Sequence, residues 1–199
     1  MPAETKPTET RESLLSEEML KRFWDRAPGY DAENRFFDED FADLKQAGYL
    51  TLAVPKELGG RGLLLAEACR EQRRLAYFAA PTALATNMHL YWTGLAADLW
   101  RAGDRSLEWL LKAAVAGEVF AAGHAESGND IPALLSTTKA DKVAGGYRFT
   151  GRKSFGSLTP VWTYLGLHGM DTSDPVRRRW STPSCPARPR GLGSSKPGT

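Results

Sequence analysis

Residues 120–157 read FAAGHAESGNDIPALLSTTKADKVAGGYRFTGRKSFGS, and this stretch decides the fold. A run of small residues ends in the acid-tipped loop Gly128-Asn129-Asp130. Two segments of β-branched and aromatic alternation follow, STTKADKV and GGYRFTG. Gly145-Gly146 between them is a hairpin signal, because tight β-turns need backbone angles that glycine adopts without steric cost. The spacing predicts a strand pair that ends in Gly151-Arg152-Lys153, an aromatic (Phe155) and a small hydroxyl (Ser157).

Upstream of Gly117 the pattern is helical. Leu14, Leu15, Met19, Leu20, Phe23 and Trp24 recur at helical spacing over Ser13–Arg26, with Ser13 as N-cap and Pro28-Gly29 as the stop. A second helix is expected over Phe36–Ala47, closed by Gly48. Residues 49–60, YLTLAVPKELGG, read as a short extended piece followed by a Pro/Gly turn. A third helix is expected over Leu63–Phe78. A fourth should have Pro81 in its first turn and run to about Trp100. A fifth is expected over Arg105–Ala116, capped by Asp104. The apolar stripes of this bundle place Trp24, Phe41, Leu75, Trp92 and Trp109 in its core. The fold class is therefore α+β: an N-terminal α-helical bundle followed by the first strands of an incomplete β-barrel domain. The expected boundaries are a frayed arm at 1–12, the bundle at 13–117, the β part at 118–175 and a basic tail at 176–199.

Composition narrows the function. The 199 residues are 42% hydrophobic and 25% charged, ordinary for a globular chain. The formal net charge of +2 hides an asymmetry: six basic residues and no acids follow Val176, so the body before it is mildly acidic. That argues against a nucleic-acid surface. Two cysteines, Cys69 and Cys185, cannot make a disulfide framework, which points to a reducing, cytoplasmic setting. The N-terminus lacks an apolar signal core, and no run is long enough to span a bilayer. Met88-His89 lies in an aromatic-rich helix and reads as core or pocket wall, and His168 reads as structural.

Three passages together resemble the acyl-CoA dehydrogenase family, over roughly Ser13–Pro175. KQAGYLTLAVPKELGGRG (45–62) is similar to the passage that helps wall the family's acyl-chain pocket. AAGHAESGND (121–130) is similar to the loop that meets the flavin. It keeps Gly128 and Asp130 but has Gly123 where the family has Thr, His124 for Glu, Ala125 for Pro and Asn129 for Ser. GRKSFGS (151–157) is similar to the strand whose Trp packs on the isoalloxazine and whose Thr bonds near N5, here Phe155 and Ser157. The resemblance implies FAD, an acyl-CoA-like substrate and a homo-oligomer, with no nucleic acid or membrane partner, and a place in fatty acid metabolism. It implies cofactor contacts from Gly123, His124, Gly128, Asn129, Phe155 and Ser157. The catalytic carboxylate would lie in a C-terminal domain beyond this chain, so no catalytic residue and no metal ligand is assigned. An aromatic and a hydroxyl two apart on a strand share a face, so both could meet one planar ring. The departures at Phe155-Gly156-Ser157 and His124 lean toward the flavin monooxygenases that share the fold. A non-catalytic fragment or interaction module is the reading of a different class.

The resemblance stops at residues 169–175, GMDTSDP. The remainder, rich in Arg, Pro, Ser and Gly, reads like a GC-rich gene in the wrong frame. Shifted codons with permitted wobble bases decode as VHAFLPRATPGPRVVETWD, which alternates like a strand. The expectation is a truncated, frameshifted fragment, without regular structure after about Val176, that is inactive and retains little flavin.

Overall fold

In the computed structural model the described residues are 13–126, 136–172 and 180–181. The first helix, α1 (Glu17–Ala32), is capped by Ser16, whose hydroxyl accepts from the Met19 N–H at 3.1 Å. Ser13 instead donates to Glu71 on the third helix at 2.8 Å. The helix runs through Pro28 rather than stopping there. Its last turn is held from outside. The Tyr30 hydroxyl donates to Glu39 at 2.9 Å, and Arg26 pairs with Asp40 at 2.8 Å. These anchors, on α2 (Asp38–Gln46), outweigh the lost backbone bond.

Gly48 closes α2 in the left-handed region, φ 75°, as the sequence predicts. The extended piece expected after it is two 3₁₀ turns, Tyr49–Thr51 and Lys56–Leu58. Next come α3 (Leu65–Phe78), α4 (Ala80–Arg101) and α5 (Glu108–Val115). The Leu64 N–H donates to Glu67 at 2.8 Å, which satisfies one orphan donor at the start of α3. Asp104 does not cap α5; it accepts from the Ser106 N–H in the preceding turn, and α5 begins later at Glu108.

The bundle core centres on Leu20, Phe23, Leu44, Tyr49, Leu75 and Leu111, all fully buried. Phe41 and Leu75 are buried as expected. Trp24 and Trp109 are not, with 58% and 38% of their surface exposed. Trp24 meets Phe78 only edge-on, and Trp109 reaches Phe120 and Tyr164 at the bundle's margin. The apolar stripe on these helices is wider than the layer that covers it. Among the described residues no helix is long and apolar enough to cross a membrane.

The β part is two small open sheets with no closed barrel among the described residues. β1 (Phe120–Gly123) pairs in parallel with β4 (Tyr164–Leu167), joining residue i to i+44. The hairpin predicted at Gly145-Gly146 is present: β2 (Lys139–Val143) pairs antiparallel with β3 (Gly146–Thr150). β2 also pairs in parallel with β5 (Gly169–Asp171), which pairs antiparallel with β6 (Trp180–Ser181). This last pairing departs from a tail without regular structure. The frame expectation otherwise falls on residues outside those described.

Helix α4 joins the two parts. His89 is fully buried; its Nε2–H donates to the Leu50 carbonyl at 2.9 Å, and its Nδ1 accepts from the Phe120 N–H at 3.1 Å. One turn on, the Trp92 indole donates to the Ala121 carbonyl at 3.0 Å. The indole lies where a Cβ on Gly166 would come within 2.0 Å of it, so that strand position tolerates only glycine while Trp92 stays in place. Alanine at Gly166 should cost about 1–3 kcal/mol. The Trp92→Leu background should absorb most of that loss in urea titrations; equal losses in both backgrounds would place the clash elsewhere.

Burial pushes the His89 imidazole down to about 4, against a smaller opposing effect of the Leu50 carbonyl. The unfolded chain therefore takes up a proton at this residue that the folded chain refuses. Stability is complete above about pH 6.5 and falls as pH drops from there toward 4, by a total of about 3 kcal/mol. His89→Ala should remove this pH dependence. It should also cost several kcal/mol at pH 7, since it leaves a buried N–H and carbonyl unpaired. Urea unfolding at pH 7 and pH 4.5 measures both.

Candidate functional site

The strand registers bring one cluster together. The parallel pairing of β1 with β4 sets Gly123 beside Leu167, and one step further His124 beside His168. On its other side the chain after β1 bridges antiparallel to the 153 strand, Glu126 opposite Lys153, with the Ser154 N–H donating to the Ala125 carbonyl at 2.9 Å. His124 thus stands beside His168, exposed, at the end of the β1–β4 pair.

The two imidazoles approach Nδ1 to Nδ1 at 3.1 Å. Tyr91 meets the His124 ring edge-on, with centroids 6.0 Å apart, and Trp92 lies at 5.9 Å. His168 is buried while His124 is exposed. Burial on its inner side, then the nearby His168 and Lys153 charges, pushes the His124 imidazole down, so it is uncharged at neutral pH.

Beneath the pair lies a buried carboxylate. Glu126 accepts from the Ser136 hydroxyl at 2.6 Å, the Thr137 N–H at 2.6 Å, the Thr138 hydroxyl at 2.7 Å and Lys153 at 2.6 Å. Burial alone would raise its carboxyl, but Lys153, the hydroxyls and the backbone N–H together hold it well below the usual carboxylate range. The Ser136 hydroxyl also lies 3.3 Å from the His168 carbonyl, which sets this knot beside the histidine pair.

The residues singled out in the sequence fall as follows. Gly123 ends β1 fully covered, with Leu165 over the place a side chain would take. Phe155 and Ser157 do not share a strand face as expected. Phe155 has φ 56°, and residues 157–161 form a turn, because the Ser157 N–H folds back onto the Phe155 carbonyl at 2.8 Å. That kink lifts the Phe155 ring into solvent, 77% exposed, and leaves Ser157 half-buried. Gly128 and Asn129 lie outside the described residues. Met88-His89 is core, as the sequence suggested. His168, Glu126 and the 136–138 hydroxyls went unread as site residues, because their partners lie 10 to 44 positions away across strands whose pairing leaves no local signal.

These residues suit a planar aromatic cofactor. A large ring stands uncovered on a kinked loop, a half-buried hydroxyl lies two residues on, and an uncharged imidazole stands on the segment to which that loop's start is bridged. No group of three or more metal-ligating side chains occurs among the described residues. A second feature lies in the bundle: a cleft of about 300 Å³ between α3 and α4, floored by Leu52 and Ala53 of the 45–62 passage and by Leu63 just after it, and bordered by Gln72, Tyr91 and Arg101.

Comparison with known proteins gives this arrangement a context. Residues 10–117 match the family described as acyl-CoA dehydrogenase, N-terminal domain. L-evernosamine nitrososynthase of a Micromonospora species is 31% identical over 162 residues, 78% of this chain and 37% of that protein. YdbM of Bacillus subtilis, which carries a provisional acyl-CoA dehydrogenase name, is 30% identical over 137 residues, 68% of this chain and 36% of that protein. The chain therefore spans little more than a third of the curated relatives it matches. Among solved structures, KijD3 in complex with FMN and dTDP-3-amino-2,3,6-trideoxy-4-keto-3-methyl-D-glucose superposes with a TM-score of 0.72 at 29% identity, over 84% of this chain and 42% of that one.

The Glu126 knot predicts a pH-dependent contribution to stability. Its folded pKa lies below the unfolded value, so the contribution is present above about pH 4.5 and is lost as pH falls through the folded pKa. Glu126→Gln should cost about 3 kcal/mol at pH 7 and markedly less at pH 3. A loss that is the same at both pH values would assign the effect to shape rather than charge.

Proposed function

The chain belongs to the acyl-CoA dehydrogenase family, and we propose that it forms one wall of the flavin site of a monooxygenase that oxidises the amine of a nucleotide-linked sugar. The observation that carries this reading is the exposed Phe155 ring on a kinked loop whose preceding residues, Lys153 and Ser154, bridge back to Glu126 and Ala125, next to the uncharged His124. The family's dehydrogenase pattern has Trp and Glu at these positions. The relatives named for nitrososynthase activity and for an amino-sugar nucleotide complex support the substrate class. FMN, which the KijD3 structure contains, is a better-supported cofactor here than the FAD implied by the family resemblance.

A bound flavin supplies the redox chemistry, passing electrons to dioxygen when reduced. The residues of this chain do the rest of what can be assigned. Phe155 offers an apolar platform for a planar ring, worth about 1 kcal/mol beyond area when an aromatic stacks on it. On this reading the Ser157 hydroxyl hydrogen-bonds the ring's edge, and His124 offers an uncharged imidazole to the same site. Glu126 and Lys153 neutralise each other and hold the two chain segments at their spacing. The whole protein's activity needs parts supplied beyond these residues, so the 199-residue chain should purify colourless and bind added FMN only weakly.

A second reading, oxidation of an acyl thioester, is favoured by the apolar cleft between α3 and α4 and by the likeness to YdbM. The two part on one experiment. The full protein, reduced in the absence of oxygen, is mixed with aerated buffer and a dTDP-linked amino sugar; substrate-dependent oxygen uptake with oxidation at nitrogen is expected. Bleaching of the oxidised flavin by an acyl-CoA instead would establish dehydrogenation. In the same protein, Ser157→Ala should weaken FMN binding about five-fold, the worth of one hydrogen bond, as read by quenching of flavin fluorescence.

A further inference from the structure

The cleft between α3 and α4 carries a polar feature that a purely apolar pocket does not need. Tyr49 is fully buried, and its hydroxyl donates to the Gln72 Oε1 at 2.6 Å. The other end of that amide, Nε2, donates to the Ala83 carbonyl at 3.1 Å and to the Asn87 Oδ1 at 3.3 Å. Each direction is forced. Burial, then the nearby Glu71 charge, pushes the Tyr49 phenol up, so it stays a donor. The Ala83 carbonyl can only accept. Gln72 must therefore present Oε1 to Tyr49 and Nε2 to α4, and Asn87 must answer with its oxygen. Asn87 is left with an Nδ2 that no described residue engages and with a second lone pair on Oδ1. It is exposed, and it lines the cleft together with Gln72.

We propose that this cleft holds the base of a pyrimidine nucleotide, with the Asn87 amide pairing the imide edge of the ring. An imide offers an N–H flanked by carbonyls. The unspent Nδ2–H and Oδ1 lone pair of Asn87 are the matching donor and acceptor, side by side. Leu52, Leu63 and Leu90 supply apolar surface that a flat ring covers. A volume of about 300 Å³ is at the lower end for small-molecule sites. It suits one base and its pentose, not a whole nucleotide-linked sugar. The amide edge is held before the ligand arrives, because Tyr49 and Ala83 fix Gln72 and Gln72 fixes Asn87. Little rotamer freedom is then lost on pairing.

The cleft adjoins the candidate site through one side chain. Tyr91 lines it, one helical turn and about 6 Å along α4 from Asn87. The same ring meets His124 edge-on, with centroids 6.0 Å apart. A nucleoside diphosphate spans that path, so a base at Asn87 directs the linked sugar toward His124. The identity of the ligand rests on the amine-oxidising reading above; the fixed amide edge does not. An acyl chain makes no use of that edge. Its methylenes would leave the Asn87 Nδ2 in water or cover it unpaired, at a cost in affinity.

The test is an NMR titration of the 199-residue chain, followed through the Asn87 side-chain amide and the methyls of Leu52, Leu63 and Leu90. Thymidine should move both sets of signals. N3-methylthymidine, whose imide N–H is blocked, should bind about ten-fold more weakly, the worth of one well-made hydrogen bond. Asn87→Ala, a change that an exposed helix position tolerates, should weaken thymidine by a similar factor and bring the two ligands level. A purely structural role for Asn87 would leave the discrimination between them intact. No movement of these signals by thymidine up to about 10 mM, or equal binding of the two ligands by the unchanged chain, would overturn the proposal. So would a preference for adenosine. An acyl thioester of N-acetylcysteamine that moves the leucine methyls where thymidine does not would give the cleft to an acyl chain and overturn it too. The reaction is read separately, on the full protein. Thymidine pairing at Asn87 without oxidation of the amino sugar would leave the base site standing and overturn the reading of the reaction. Oxidation at nitrogen with a KM that Asn87→Ala leaves unchanged would do the reverse.

Discussion

An uncharged imidazole ties the two parts of this chain together at their centre. His89 lies on α4, buried, and spends both ring nitrogens on backbone groups that belong to no common element: the carbonyl of Leu50 before the Pro/Gly loop and the N–H of Phe120 at the start of β1. Each of those groups would otherwise be a buried, unpaired polar atom. A charged histidine could not serve, since Nδ1 would no longer accept. Burial therefore selects the only protonation state in which the junction closes, and the placement of β1 follows from it.

The β part uses the opposite electrostatic strategy. Where His89 stays neutral, Glu126 stays charged, and is surrounded by enough donors to make that tolerable. A carboxylate in such a setting is a structural clamp more than a reagent, because its lone pairs are already engaged. The exposed chemistry is left to the groups above it: a kinked aromatic, a hydroxyl, and an imidazole whose outer nitrogen is not spent on the fold. The same short segment, 123–126, thus carries a covered glycine, an exposed imidazole and a buried anchor within four residues.

The bundle was legible in the sequence because its signals are local. Apolar residues at helical spacing, Gly48 and Gly117 as stops, and the Gly145-Gly146 turn each act within a few positions, and each appears where the pattern put it. Errors arose where tertiary contacts overrode the local signal. Pro28 does not break α1 because Tyr30 and Arg26 are tied to α2. Trp24 and Trp109 sit on apolar stripes that no layer fully covers. The site was legible by half. His124 was singled out as part of a loop, and Phe155 and Ser157 as points on a strand. The kink at Phe155 is a local bond from Ser157 that no motif announces, and the partners of His124 lie 32 to 44 residues away, which no spacing in the sequence encodes.

Register is the last link. A parallel strand pair can slip by a residue, and a slip of one turns every side chain to the other face. Here Trp92 forbids it. The indole donates to the Ala121 carbonyl and lies over Gly166, where no side chain fits. If β4 moved by one position in either direction, Leu165 or Leu167 would come under the ring. With Gly166 held beside Ala122, the chain two residues further along each strand is held as well, and those residues are His124 and His168. The close approach of the two imidazoles is therefore set by a glycine and a tryptophan that touch neither nitrogen, and the geometry of the site depends on packing at the junction of helix and sheet.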